Sequence, residues 1–424
     1  MSKTSMASKA YRWYVVVALT LVGVLNLMDR QILAILLEPI KLDLGATDTE
    51  MGLLTGFAFV LFFALASIPL AQVADRSSRR ALISISIAFW SVMTIVAGRT
   101  TTFMQLALAR VGLGVGEAAS GPASQSMISD YFEPAERAAP LAWIAASVPM
   151  GLMASFMIGG AMSEALGWRA TLLWIGVAGL VLSVVVAVTV REPVRGASEA
   201  GADTRVHDLG ATLTYLWGLR SFRFLVLAAS LDVFAGYVLL AWSPSFLMRV
   251  HDMGPTEVGA WLGLASGLGG VAGTFLGGGV AQRLGKRDPR WLLRVPGFAC
   301  LSAAPVGFLF RRLPATYAPY MFFGVMFFGP AMYGPVLGVT QSLAKVRMRA
   351  LAAAVLMLVY SVLGVGLGPL TTGMLSDVLT PTLGEEAIRY AMGLALVGFV
   401  GSSVLFLYAA KRLPADLEGG ASDA

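Results

Sequence analysis

The chain has 424 residues, 57% of them hydrophobic and only 13% charged, with a net charge of +6 and a pI near 9.5. A soluble domain carries roughly 25% charged residues, so this composition, with a mean hydropathy of +0.75, excludes a globular enzyme and points to a polytopic helical membrane protein. The basic balance does not indicate nucleic acid, because the Lys and Arg fall in loops and not on one amphipathic face.

Lys3, Lys9 and Arg12 precede the first apolar run, and no small-residue cleavage site follows. The run is therefore expected to be a retained first helix and not a signal peptide. It spans 13–37 and is long enough to cross a bilayer core of about 30 Å. Asn26, Asp29 and Arg30 lie inside it, and an acid and a base at that depth are a functional-site hypothesis by default. Asn26 is the only asparagine; it precedes Arg30 by one turn and shares roughly one helical face with Asp29. A pair snorkelling toward the helix end is the weaker reading, since more apolar residues follow and the next acid is Glu38.

Further apolar runs follow near 49–73, 81–98, 103–126, 138–161, 170–190, 224–248, 256–282, 291–310, 315–342, 350–376 and 387–410, twelve in all. Span 4 carries Arg110, Gly114 and Glu117 at i, i+4 and i+7, one face of a helix among small residues that admit a close neighbour. Asp29 lies about 12 Å and Arg110 about 10 Å from the outer ends of antiparallel spans, at helical rise. An Asp29–Arg110 ion pair is expected. Glu117 lies about 10 Å deeper, with Arg30 as its expected counter-charge. A purely structural buried quartet is the alternative.

The stretch 191–223, rich in Ala, Gly, Ser and charge, halves the chain, with 196–202 reading as flexible linker. His207 and Asp208 lie where a surface helix begins, and His251 reads as a loop residue just after span 7. Asp232 is the only mid-span acid of the second half and a candidate to line a cavity. Tyr237, Trp242, Tyr333 and Tyr360 offer rings with polar tips suited to an amphipathic ligand. Gly364, Gly366, Gly368 and Pro369 give span 11 points at which to bend. Cys300, the one cysteine, reads as a small buried hydrophobe, and neither a metal site nor a cofactor is expected.

On the side of the termini 21 Lys and Arg fall outside the spans, against 7 on the other side. The positive-inside rule places both termini in the cytoplasm. Reporters fused at Gly196 and at the C-terminus should read cytoplasmic, and one at Thr47 periplasmic. Finding Gly196 outside would overturn the span count. The chain has no Asn-x-Ser/Thr sequon, which fits a bacterial inner membrane.

The halves also repeat. Asp75, Arg76, Arg79 and Arg80 follow span 2, and after span 8, at an offset of 207 residues, Arg283, Lys286 and Arg287 recur. Internal repeats of helices mark secondary transporters, with the substrate site between them. The stretch 71–80 resembles the signature loop of the major facilitator superfamily, with Ala71 and Ser78 in place of its two glycines. The resemblance implies that Asp75 caps a neighbouring helix and braces one conformation.

The fold expected is thus an all-α membrane protein. Twelve transmembrane helices form two pseudo-symmetric six-helix bundles, over 1–190 and 224–424, joined by a cytoplasmic linker over 191–223. Asn-Leu-Met-Asp-Arg in span 1 and Arg-Val-Gly-Leu-Gly-Val-Gly-Glu-Ala in span 4 resemble the Spinster family, as do 75–80 and Trp242-Ser243-Pro244. Organic-anion and sugar-acid symporters share a similar Asp-Arg and Arg…Glu. The Spinster resemblance implies a small amphiphilic substrate such as a lysophospholipid, with proton coupling, among membrane lipids and in a monomer. Asp29 and Glu117 are then the candidate proton carriers. Arg30, Arg110 and Asn26 are their partners and the site for a head group. No nucleophile with a base supports an enzyme, and a passive scramblase would not need the acids.

Overall fold

The computed structural model describes residues 8–133, 136–193, 209–345 and 348–422. The stretch 196–202, read in sequence as flexible linker, and His207 and Asp208 lie outside the described residues, which are almost wholly helical and hold no strand.

Helix α1 (Lys9–Leu44) begins where Ser8 accepts from the Tyr11 N–H and ends at Gly45, whose φ of 60° is a left-handed cap. Thr47 and Glu50 form a reciprocal capping box that starts α2 (Asp48–Gly52). A π-helical turn, Leu53–Phe57, leads into α3 (Ala58–Arg76). Helices α4 (Arg79–Ala97), α5 (Phe103–Glu117) and α6 (Ser120–Tyr131) follow. Helix α7 (Ala138–Thr189) has 52 residues, and Gly167, at φ 78° and ψ 162°, breaks it in two.

The second half opens with α8 (Leu209–Gly218), inside the stretch read as linker; its Leu216 is buried in the core of this half. Helices α9 (Arg220–His251), α10 (Pro255–Gly285) and α11 (Trp291–Arg312) come next. His251 is the last residue of α9, not a loop residue, and its ring meets Phe246 edge-on at 5.1 Å. Then follow α12 (Ala318–Phe328), α13 (Tyr333–Leu343) and α14 (Arg349–Tyr360). A second π-helical turn, Ser361–Gly366, leads to α15 (Leu367–Leu383). Helices α16 (Ala387–Ala391) and α17 (Leu394–Ser422) complete the chain. Gly364 and Gly366, offered in sequence as points at which span 11 bends, lie in this π turn.

Nine stretches of the described residues are long and apolar enough to cross a membrane. Two of them, Ala138–Thr189 and Leu351–Leu417, are long enough to cross twice. Helices α5 and α6 are too short singly, being broken at 118–119, but together supply one more crossing. The total is consistent with twelve.

Packing is uneven along the bundle. Away from the termini one core runs through both halves, from Ile32–Ile40 of α1 and Phe156 of α7 to Trp242 and Phe246 of α9 and Leu262 of α10. At the end that carries the termini there are two cores. One, around Ile83, Trp90 and Met127, belongs to the first half; the other, around Phe222, Val336 and Phe406, belongs to the second. The halves are joined at one end and parted at the other.

Glycine makes the joined end possible. A Cβ on Gly373 of α15 would sit 2.1 Å from the Asp48 carbonyl oxygen, and one on Gly259 of α10 2.3 Å from that of Phe156. Backbones of opposite halves therefore touch at two seams, α2 with α15 and α7 with α10.

Candidate functional site

Asn26, Asp29 and Arg30 occupy the middle of α1, where it faces α5. Arg30 donates from Nε and Nη2 to one oxygen of Glu117, Oε2, at 3.1 and 2.9 Å. Its Nη2 also reaches Asn26 Oδ1 at 3.5 Å. The Glu117 side chain is fully buried, while Arg30 keeps 24% of its side chain exposed. The guanidinium carbon lies 4.8 Å from the ring centres of both Phe59 and Phe63, on α3. Such cation–π contacts hold a cation without neutralising it. Glu117 Oε1 and Asn26 Nδ2 are buried, and among the described residues neither has a partner at full hydrogen-bond geometry, although the Asn26 amide stands near the Glu117 carboxylate. The pair is thus only half satisfied, and its arginine is accessible.

The expected Asp29–Arg110 ion pair is absent. Arg110 instead donates from Nη1 to the Asp29 carbonyl oxygen at 3.2 Å and from Nη2 to that of Arg30 at 3.1 Å. Matching depth brought the two residues together, but the guanidinium spans the α1 backbone and ties α5 to it. The Asp29 carboxylate points to α4, where Thr94 Oγ1 lies 2.8 Å from each of its oxygens. Thr94 is a site residue that the sequence reading missed. Its one signal was a polar side chain within an apolar run, near the outer end of span 3.

Gln31 Nε2 donates across the halves to the Tyr237 hydroxyl at 3.3 Å. Tyr237 therefore meets the first half one residue from Arg30. Tyr333 and Tyr360 share a small pocket of about 100 Å³ with Met332, Val336, Leu356 and Met357. Asp232 and Trp242 do not line a cavity. Asp232 is 4% exposed, accepts from Cys300 Sγ at 3.0 Å and lies in the packing of α9, α11 and α17. Trp242 is fully buried and donates from Nε1 to the Pro369 carbonyl at 3.0 Å, joining α9 to α15. Both corrections have one cause: helical spacing gives depth, and which face meets water depends on how the helices pack.

Among the described side chains of the signature loop, Arg79 is the organising one. Arg79 is buried and donates to Asp130 at 2.5 Å, to Glu192 Oε1 at 3.0 Å, to Ser126 Oγ at 3.0 Å and to the Pro193 carbonyl at 3.1 Å. The Arg80 backbone N–H and Ser78 Oγ both donate to Glu192 Oε2 at 2.8 Å. Partial burial works against the Glu192 charge, but the donors from Arg80, Ser78 and Arg79 outweigh it and hold its carboxyl below the usual range. The side chains of Asp75 and Arg76 lie outside the described residues.

A further cluster, also missed, closes the joined end. Arg249 of α9 donates to both oxygens of Asp48 at 2.8 and 2.7 Å and to Glu38 at 2.5 Å. Lys41 Nζ and Ser376 Oγ add contacts to Asp48 at 2.6 and 2.7 Å. Asp377 of α15 accepts from the backbone N–H groups of Asp48 and Thr49 at 3.0 and 2.7 Å. In sequence these residues looked like ordinary loop charges.

Helical halves joined at one end, with a charged site in the membrane interior of the first half, are the arrangement of a secondary transporter. The chain belongs to the major facilitator superfamily, whose family model matches residues 19–369. An MFS-type efflux pump of Mycolicibacterium smegmatis is 35% identical over 407 residues, 94% of this chain and 93% of the relative. A probable L-galactonate transporter of Escherichia coli is 28% identical over 276 residues, 62% of this chain and 60% of its own. A bacterial homologue of the human lysosomal transporter Spinster, in an inward-facing and unoccupied conformation, superposes with a TM-score of 0.88 at 29% identity, covering 97% of this chain and 99% of that one. The chain is a multi-pass membrane transporter that resembles Spinster, and not an enzyme.

Proposed function

We propose that the protein carries an amphiphilic, anionic, lipid-like substrate by alternating access, coupled to protons. The observation that carries this reading is the half-satisfied Arg30–Glu117 pair. Arg30 is accessible, held between Phe59 and Phe63, and bonded to a buried carboxylate through one oxygen only. An anionic head group that binds Arg30 competes with Glu117, and a proton on Glu117 releases the arginine to it. Asn26 steadies the pair, Asp29 is the second proton carrier, and Arg110 holds the two helices in register. Tyr237, Tyr333 and Tyr360 supply an apolar wall with polar tips for the remainder of the substrate.

The protein lies in a bacterial inner membrane as a monomer among lipids, with both termini cytoplasmic, so the parted end opens to the cytoplasm. The conformation reported for the Spinster homologue supports this. The N-terminal bundle takes 1–190 and the C-terminal bundle 224–424. The loop of Asp75, Arg76, Arg79 and Arg80 braces the first half as the parted end opens and closes.

A sugar-acid symporter is the second reading, favoured by the L-galactonate relative, since Arg30 would hold a carboxylate equally well. The aromatic and methionine lining around Arg30 and Tyr333 fits an acyl chain better than a polyhydroxy acid. A passive scramblase would leave Glu117 and Asp29 without a task. The test is uptake by purified protein in liposomes, comparing a lysophospholipid with a hexuronate under an imposed pH gradient. Gradient-dependent uptake of the lysophospholipid supports the proposal, and uptake of the hexuronate alone supports the second reading. Gradient-independent lysophospholipid movement marks a scramblase.

A further inference from the structure

Thr94 stands on α4 three residues before its end and faces α1. Its hydroxyl oxygen lies 2.8 Å from Asp29 Oδ1, 2.8 Å from Oδ2 and 3.0 Å from the Trp90 carbonyl oxygen. A hydroxyl has one hydrogen to donate and two lone pairs to accept with. Three oxygens therefore surround one hydrogen. Asp29 is 1% exposed, and among the described residues its carboxyl makes no other hydrogen bond and no ion pair. Arg110, the nearest expected cation, is occupied by carbonyl oxygens. Thr94 is itself buried.

The arrangement has two self-consistent states. With Asp29 charged, the Thr94 hydrogen goes to the carboxylate, a charge-assisted bond stronger than one to a carbonyl. With Asp29 protonated, the carboxyl hydrogen goes to Thr94 Oγ1, and the hydroxyl turns to the Trp90 carbonyl. One proton from water adds to an Asp29 oxygen in the forward direction and returns to water in the reverse. No other bond is made or broken. The side-chain contact persists in both states, with its direction reversed.

We infer that Thr94 is the positioning residue for the proton on Asp29: it holds the carboxyl in both protonation states and reverses its hydrogen bond when the proton arrives. This rests on the reading of Asp29 as a proton carrier. The charged groups that share this environment are Arg110 and Glu117 on α5 and Arg30 on α1 itself. From α9, Tyr237 reaches the neighbouring Gln31.

The experiment is a pH titration of the carboxylic C=O stretch by infrared difference spectroscopy on the full chain in lipid vesicles. The Asp29 band is the one lost in Asp29→Asn. Thr94→Val keeps the shape and removes the hydroxyl, so the carboxylate loses its only donor. The pH midpoint of the band should move up by about one unit, the difference between a hydrogen bond to a charged group and one to a neutral group. Thr94→Ser should return it to the wild-type value. A residue that merely fills space would lower thermal stability and leave the midpoint unchanged, and that result overturns the inference. If Asp29→Asn removes no titrating band, Asp29 is not a proton carrier, and the underlying reading falls with it.

Discussion

Replacing Glu117 by Gln is expected to abolish proton-driven accumulation while leaving substrate exchange largely intact. One proton moved per substrate across a one-unit pH gradient sustains about a tenfold concentration ratio at equilibrium. In Glu117→Gln that ratio should fall to one. The amide keeps the shape and still offers an oxygen to Arg30 Nε and Nη2, the two donors that now share Oε2. It cannot take up or release a proton, so the arginine is no longer alternately bound and freed. Arg30 remains cradled by Phe59 and Phe63 and accessible to a head group, which is why exchange survives. The measurement is lysophospholipid uptake into liposomes with and without the gradient, beside exchange at equal pH. Accumulation at the wild-type level would remove Glu117 from the coupling.

Replacing Arg249 by Ala should open the joined end. Arg249 is the one cation that meets both Asp48 and Glu38, and Asp48 is 1% exposed. Without it two carboxylates of the first half stand against the second, with Lys41 and the Ser376 hydroxyl left on Asp48. Removing one partner of a buried pair costs roughly 3–5 kcal/mol. That cost falls on the closed state, because in the open state water solvates the acids. A bias of that size shifts a two-state balance by a factor of about 100 or more. Spin labels at Leu42 and Glu385, in a chain with Cys300 replaced, would report the change by double electron–electron resonance. A new longer distance in Arg249→Ala is expected. Adding Asp48→Asn should partly restore the closed state by removing the unpaired charge. An unchanged distance distribution would mean that the α2–α15 and α7–α10 seams, not the charges, hold this end shut.

Much of this molecule follows from spacing. Apolar runs of span length gave the helices, and the crossings found among the described residues are consistent with the twelve expected. Opposite charge paired Arg30 with Glu117 across about 10 Å of helical rise, and the structure brings them together at 2.9 Å. Depth along antiparallel spans put Arg110 beside Asp29, but a long guanidinium chooses among several oxygens within reach. Here it takes two carbonyls of α1 and leaves the carboxylate to Thr94. A threonine in an apolar run carries no mark that separates it from packing, so its role emerges only with α4 set against α1. Asp232 and Trp242 lie at cavity depth yet face inward, which depends on helix rotation and not on sequence distance. Glu38, Lys41, Asp48 and Arg249 were equally hidden, since charges at span ends are what topology alone would produce. What binds them is the approach of α2 to α15 at Gly373, more than 300 residues from Asp48 in the chain.

The most direct test of the account is whether substrate moves protons. Liposomes containing the protein and an internal pH-sensitive dye, at equal pH on both sides, would receive a lysophospholipid externally. The account predicts a change in internal pH with wild-type protein and none in Glu117→Gln, nor in the double variant with Asp29→Asn. Lysophospholipid entry with no change in internal pH, or an equal change in the double variant, would contradict it.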